Sequence, residues 1–174
     1  MSGARDPAPQ TPRIATLDPA RDRARTQAMF ERAADYIRLE TGLPPDGGEA
    51  ARFFAEGPPR ADLARSRKFG QEAGARLISL ADLAFGFPEA DDAFIGLLLI
   101  DPACRGQGLG AQMLDHLART ARDVGARRLL VAVLEANPAG RRFWEREGFR
   151  LARTAPPRRY GDRIHVAHRL ARPL

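Results

Sequence analysis

The sequence predicts an α/β (α+β) domain built on a central mixed, mostly antiparallel sheet of six to seven strands with helices on both faces. Three observations carry that prediction. The apolar segments, read in order, show strand and helix periods as β-α-α-β-β-β-α-β-α-β-β. One strand–helix–strand unit, residues 94–134, supplies a single parallel crossover. The segments before and after it read as antiparallel hairpins, which makes the sheet mixed.

Each element has a local reason. Residues 1–12 hold three prolines among small and polar residues and read as a flexible tail, leaving residues 13–174 as one domain. Residues 13–17 form a short first strand. Residues 21–40 read as a helix, because Phe30, Ala33, Ala34 and Ile37 fall at i, i+3, i+4 and i+7. The breaker GLPPDGG follows, then a short helix over 49–56 that carries Phe53 and Phe54 inward. Residues 65–69 are a weak strand. Residues 76–85 are a stronger one, with Leu77, Ser79, Ala81 and Leu83 on one face. After the turn GFPEADD, residues 94–100 are nearly all apolar, the mark of a central strand covered on both faces.

Beyond Asp101-Pro102 the helix over 109–124 puts Leu109, Met113, Leu117, Ala121 and Val124 on one stripe, and Gly125 stops it. Residues 129–134 form a second buried strand. Asn137-Pro138 opens a short helix, since Asn is a good N-cap and Pro suits the first helical position. Gly148 closes it, residues 149–152 start a strand, and residues 163–170 alternate as the last one.

Composition bounds the class. A chain of 174 residues buries a sizeable core as one domain. Its 44% hydrophobic and 29% charged residues are ordinary for a soluble globular protein. No apolar run approaches the roughly 18–20 residues of a membrane span, and the N-terminus lacks the apolar core of a signal peptide. A cytoplasmic protein with no membrane partner is therefore expected. Cys104 is the only cysteine, which leaves no intrachain disulfide, no cysteine zinc site and no expectation of a metal. The net charge of +6 is almost all arginine, with Lys68 the only lysine. The arginines are spread in short pairs, and no basic block interleaves with aromatics, so a solvated surface with a few ligand-phosphate contacts is expected and no nucleic acid partner.

The segment that carries chemistry is Arg105-Gly106-Gln107-Gly108-Leu109-Gly110, between a buried strand and a helix N-terminus. Such a turn leaves backbone N–H groups unpaired on the positive end of a helix dipole, where a phosphate or pyrophosphate is the natural guest. A P-loop needs a Lys-Ser/Thr pair that this turn lacks. A dinucleotide fingerprint fits the spacing, with Gly106 to Ala111 matching G-x-G-x-x-A and Glu135 ending the next strand. A doubly wound fold, however, needs more β-α units than the 39 residues after Glu135 provide. A bare tight turn does not account for three glycines in five residues.

The stretch LLLIDPACRGQGLGAQMLDHLARTARDVGARRLLVAVLEANPAGRRFWEREGF resembles the GCN5-related N-acetyltransferases. The resemblance rests on the strand ending in Asp-Pro, the R-G-x-G-x-G turn, the helix, the Gly125 break, the next strand, and an Asn-led helix closed by Gly148-Phe149. It is close over residues 93–150, and the flanking strand order agrees over 13–170.

The resemblance implies a sheet splayed between its two central parallel strands and acetyl-coenzyme A (acetyl-CoA) as acyl donor, without a metal. It implies that Arg105, Gly106, Gln107, Gly108, Leu109 and Gly110 cradle the pyrophosphate, with Arg105 adding a charge-assisted contact. The pantetheine arm would pair with Leu98, Leu99 and Ile100, and Asn137 would hydrogen-bond to it as well as cap its own helix. Arg141 would reach the adenosine 3′-phosphate. Phe143 and Trp144 would wall the pantetheine.

The implied reaction is direct attack of an amine on the thioester, with a small-molecule or peptide amine as acceptor. It needs a base, for which Asp91, Asp92 and Glu135 are candidates, and backbone N–H near Leu99 or Ile100 to stabilise the oxyanion. Trp144 stands where family members often have a tyrosine that protonates the thiolate. An indole cannot supply that proton, so water, Tyr160 or Tyr36 would have to serve. Cys104, at the pyrophosphate end, reads as structural. His116 is expected exposed, and His165 and His168 structural on opposite faces of the last strand. A catalytically inactive acyl-CoA-binding module, a nicotinamide dinucleotide enzyme, and either a monomer or a homodimer stay open at this point.

Overall fold

The computed structural model describes residues 12–59 and 61–174. The tail expected over residues 1–12 lies, apart from Pro12, outside the described residues. A seven-stranded sheet runs in the order β1-β2-β3-β4-β5-β9-β6. Its strands are β1 (Arg13–Thr16), β2 (Arg67–Ala73), β3 (Arg76–Phe85), β4 (Asp92–Ile100), β5 (Arg128–Leu134), β6 (Arg150–Thr154) and β9 (Ala167–Pro173). A separate hairpin joins β7 (Arg158–Tyr160) to β8 (Arg163–His165). Every pairing is antiparallel except β4 with β5.

The helices cover both faces. On one face α4 (Leu109–Asp123) and α5 (Pro138–Arg146) bury Met113, Leu117, Trp144 and Phe149 against Ile95, Val131 and Leu170. On the other, α1 (Pro19–Arg32), α2 (Ala34–Thr41) and α3 (Glu49–Ala55) bury Met29, Phe30, Ile37 and Phe53 against Leu77, Leu80 and Leu99. Among the described residues no helix is long and apolar enough to cross a membrane.

Three readings from the sequence are corrected. The helix expected over 21–40 is two helices, broken at Ala33 and ended by Gly42 at φ 77°. Ala33 and Ile37 both stay buried across the break, so the apolar spacing does not mark it. The weak strand at 65–69 is β2, seven residues long and central enough to bury Phe69 and Gln71. The last strand is interrupted at Val166, whose carbonyl accepts the Glu135 N–H, and the arginine-rich segment before it folds back as β7–β8. That hairpin is pinned to the end of α2, where the Thr41 carbonyl accepts the Asp162 N–H at 2.8 Å and His165 Nε2 lies 2.9 Å from the Glu40 carbonyl.

The arrangement that positions the site is the short partnership of β4 and β5. They pair over four positions only, from Asp92↔Arg128 to Ile95↔Val131. Beyond that point β4 stays with β3 as far as Ile100, and β5 stays with β9 as far as Leu134. The β3–β4 register slips between Asp82↔Leu97 and Leu83↔Ile95, which leaves Gly96 as a bulge. A bulge bends its strand and increases its twist, and here it turns β4 away from β5. Gly96 and Ala132, though on central strands, are exposed.

The far end of β4 is held by a buried anion. Asp101, 1% exposed, accepts hydrogen bonds from Arg32 Nε at 2.7 Å, Arg76 Nη2 at 2.6 Å and the Ala103 N–H at 3.1 Å. Burial pushes its carboxyl up, but the hydrogen bonds from Arg76 and Arg32 outweigh it and hold the pKa below its ordinary value. The clamp ties α1 and β3 to the start of the glycine turn. Asp22, also buried, is held at about 2 rather than 3.8, chiefly by the hydrogen bond from Arg21.

Both carboxyls have depressed folded-state pKa values, so their stabilisation is complete above the ordinary carboxylate range and is lost as pH falls. Urea unfolding is expected to show stability falling between about pH 4 and pH 2. Asp101→Asn is expected to lose about 2–3 kcal/mol at neutral pH. An unchanged midpoint for that variant would remove the clamp from the account.

Candidate active site

The open end of the fork carries two kinds of unused backbone group. The β5-facing edge of β4 after Ile95 and the β4-facing edge of β5 after Val131 have no strand partner. At the end of β4, the N–H groups of Gly106, Gln107, Gly108 and Leu109 donate to no other described residue. Gly106 and Gly108 have φ of 78° and 79°, a conformation that favours glycine, and nothing lies within 4 Å of the space a Cβ would take. Gly108 is the N-cap of α4 and has no side-chain cap, and the first turn of α4 holds no acidic residue. A run of unpaired amides at the positive end of a 15-residue helix is therefore available to an anion.

Gly110 serves a different purpose. Its φ is not positive, and a Cβ there would stand 3.1 Å from the Phe143 ring. Its lack of a side chain lets the start of α4 pack against α5. Arg105 also differs from expectation. Its guanidinium is paired with Asp35 at the start of α2, with Nη2 to Oδ1 at 3.0 Å and Nη1 bonded to Oδ2, while Nε reaches the Ile100 carbonyl at 3.3 Å. Arg105 thus links the turn to α2, and a phosphate would have to compete with Asp35 for it. Gln107 is exposed and leans back to the Ala103 carbonyl at 3.4 Å. Leu98 and Ile100 are half-buried on the β4 arm of the fork, while Leu99 is in the core.

On the β5 side, Asn137 caps α5, its Oδ1 accepting the Gly140 N–H at 2.9 Å, and its amide NH2 is left free to donate. Arg141 pairs with Glu145 at 2.9 Å. Phe143 is half-buried at the α4–α5 contact. Trp144 is 6% exposed and stacked edge-on between Phe143 and Phe149, at 5.0 and 5.1 Å. Trp144 is a core residue, packed on the α4–α5 side of the sheet.

The three predicted carboxylates fall in two places. Asp92 is at the paired end of β4, roughly 26 Å along the strand from Ile100. Arg128 grips both its oxygens at 2.8 Å, and the Glu89 N–H adds a third bond. Asp92 is buried in this ion pair at the end where β4 and β5 are still joined. Asp91 makes a loose pair with Arg127 at 3.8 Å at the same end. Glu135 stands at the mouth of the fork, its side chain 68% exposed and 3.7 Å from His168 Nε2. His165 and His168 are both buried, and His116 is half-buried against Phe69, not exposed.

One group missed by sequence reasoning, Asp82, and one named there as a possible proton donor, Tyr36, lie by the β4 arm of the fork. Asp82 on β3 lies against the bulge at Gly96, where its carboxylate fills the space above the glycine. Tyr36 packs against the apolar cluster that holds Ile37 and Leu99, and burial, with Glu40 adding to it, pushes its phenol pKa up. The available signals were an aspartate within an otherwise apolar strand and a lone lysine, Lys68, which proves to be its partner.

This fork, with a glycine turn at one tip and an Asn-capped helix at the other, is matched by a family model. The model described as the acetyltransferase (GNAT) family matches residues 45–149. The chain belongs to the GNAT acetyltransferase family. It is similar to an acetyltransferase of known structure from Thermus thermophilus, 29% identical with a TM-score of 0.77, covering 95% of this chain and 98% of that one. The ribosomal-protein-S18-alanine N-acetyltransferase from Escherichia coli shares the fold at 20% identity and a TM-score of 0.66, covering 94% of each chain. Over 120 residues the chain is 30% identical to a mycothiol acetyltransferase of Thermobispora bispora, covering 62% of this chain and 35% of that protein. The chain thus spans about a third of that relative's length.

GNAT acetyltransferases use acetyl-CoA as cosubstrate, and the turn and fork have the donors to hold such a molecule. The two glycine environments predict opposite phenotypes. Gly108→Ala forces a Cβ into a left-handed conformation costing about 1–2 kcal/mol, and is expected to weaken acetyl-CoA binding by about tenfold in calorimetry. Gly110→Ala is expected to lower the melting temperature through Phe143. Equal acetyl-CoA affinity for Gly108→Ala and wild type would contradict the cradle.

Proposed function

We propose that this protein transfers an acetyl group from acetyl-CoA to a primary amine by direct attack. The observation that supports the reading best is the fork itself. Backbone groups on its two inner edges are unpaired and need partners, and an amide-bearing arm lying in the fork supplies them. Acetyl-CoA brings a phosphate end that suits the Gly106–Leu109 amides and a pantetheine arm whose length and amides suit the edges of β4 and β5. It also brings a thioester activated toward attack.

In this reading the chain's own residues do four things. The Gly106–Leu109 amides bind the pyrophosphate. Leu98 and Ile100 pair with the arm through their main chain, and Asn137 donates to it with the amide hydrogens left free by capping. The bulge and the strand beyond it present N–H groups toward the fork, where they stabilise charge on the thioester oxygen. Arg141 turns from Glu145 to the adenosine phosphate.

Trp144 supplies no proton to the departing thiolate. Tyr36, half-buried on α2 and packed against the same apolar cluster as Leu97, is the hydroxyl this reading offers for that proton. Glu135 meets an acceptor only where the acceptor enters, because most of its side chain is in solvent. The acceptor site is bounded by α2 and the β7–β8 hairpin, which come together at Thr41 and Glu40. Small amines and peptide N-termini both fit that description.

Amine-dependent release of the coenzyme A thiol tests the proposal. With acetyl-CoA and a panel of spermidine, kanamycin and a peptide with a free N-terminal alanine, turnover above the no-amine control is expected for at least one. Acetyl-CoA is expected to raise the melting temperature. Thermal stabilisation without turnover across a broad amine panel would instead favour a non-catalytic acyl-CoA-binding module. Stabilisation by NADP(H) alone would favour a dinucleotide enzyme.

A further inference from the structure

Among 28 lysines and arginines, the one lysine is buried. Lys68 is 8% exposed on β2. Its Nζ donates to the Glu56 carbonyl at 2.9 Å, lies over the Phe53 ring at 5.1 Å, and is 2.8 Å from Asp82 Oδ1. A compact ammonium with three donors fits that enclosure, where a planar guanidinium does not. Asp82 is 6% exposed, and Oδ1, sealed from solvent, has Lys68 as its neighbour. Oδ2 has no protein donor among the described residues.

Oδ2 lies directly above Gly96. A Cβ on Gly96 would overlap Oδ2 outright and stand 3.2 Å from Asp82 Cγ. Gly96 is the bulge at which β4 leaves β5, and it is exposed. One carboxylate oxygen is therefore fixed by a buried cation while the other is held over the point where the fork opens. Asp92, by contrast, has both oxygens paired by Arg128.

Resting on the acetyl-transfer reading above, we infer that Asp82 is the proton acceptor for the incoming amine and Lys68 the positioning residue that aims it. The neutral amine attacks the thioester carbonyl. As the C–N bond forms, nitrogen becomes positively charged. Asp82 Oδ2 takes one of its protons, and the C–S bond breaks with its electron pair leaving on sulfur as the thiolate. The proton then passes to solvent or to the thiolate, which restores the carboxylate. Among the described residues, Lys68 from β2 and the Gly96 backbone from β4 stand against Asp82, and Phe53 from α3 lies under the Lys68 ammonium. Burial raises the Asp82 carboxyl above its ordinary value and Lys68 opposes the rise, which brings it nearer the working range of a base.

The test compares wild type, Asp82→Asn, Lys68→Met and Glu135→Gln with acetyl-CoA and the best amine of the panel. Asp82→Asn is nearly isosteric. It is expected to keep its acetyl-CoA affinity within twofold while kcat falls about 10²–10³-fold. In wild type, the fall of kcat/KM toward acid pH is expected to steepen as Asp82 takes up a proton of its own, and in Asp82→Asn that steepening disappears. Lys68→Met moves the steepening to higher pH, an effect that a purely structural lysine would not produce. An Asp82→Asn enzyme with near wild-type kcat and the same pH profile overturns the inference, as does loss of the steepening in Glu135→Gln alone. A wild type that binds acetyl-CoA yet acetylates no amine overturns the transfer reading, and the base with it.

Discussion

Strands β4 and β5 pair for four residues and then part, and everything functional in this fold follows from that parting. A parallel pair at the centre of a sheet ordinarily satisfies its backbone along its whole length. Here the register slip at Gly96 prevents it, and both strands keep their outer partners, β3 and β9, to the end. The result is a fork whose two arms are each held by a neighbouring strand. Its inner edges present unpaired N–H and C=O groups, which cannot be left without partners at low cost. A fold that keeps such edges open has a place for an extended ligand with amides of its own.

The tips of the fork are fixed by charge. Asp101 gathers Arg32 and Arg76 from α1 and β3, so the glycine turn starts from a point anchored on both sides of β4. At the opposite end of β4, Asp92 and Arg128 brace the paired segment. Between them the chain places its one buried lysine with Asp82. The abundance of arginine thus has local uses: several guanidiniums serve as staples between elements, and Arg105 joins the turn to α2 through Asp35.

The order of elements, the single crossover and the glycine turn were legible in the sequence because each has a short-range signature: an apolar run, an amphipathic stripe, or glycine and Asn-Pro punctuation. What escaped depends on contacts remote in sequence. The break at Ala33 leaves the apolar spacing intact. The β7–β8 hairpin is stabilised by bonds to Thr41 and Glu40, more than a hundred residues earlier. Asp92 resembles a base when read alone, and only the strand register brings Arg128 to it. Trp144 is aromatic and near the right helix, but the side of α5 that carries it faces Phe149 and the core. Asp82 in an otherwise apolar strand marks a buried charge, but only the bulge across from it at Gly96 shows what its second oxygen faces.

Hydrogen–deuterium exchange with and without acetyl-CoA tests the central claim most directly. If the fork and turn are the acyl-CoA seat, protection is expected at the amides of Gly106 to Leu109 and along Leu97 to Ile100, with little change in β1, β2 or β6. Protection confined to α1, α3 or the β7–β8 hairpin, with the turn and the inner edge of β4 exchanging as before, would contradict it.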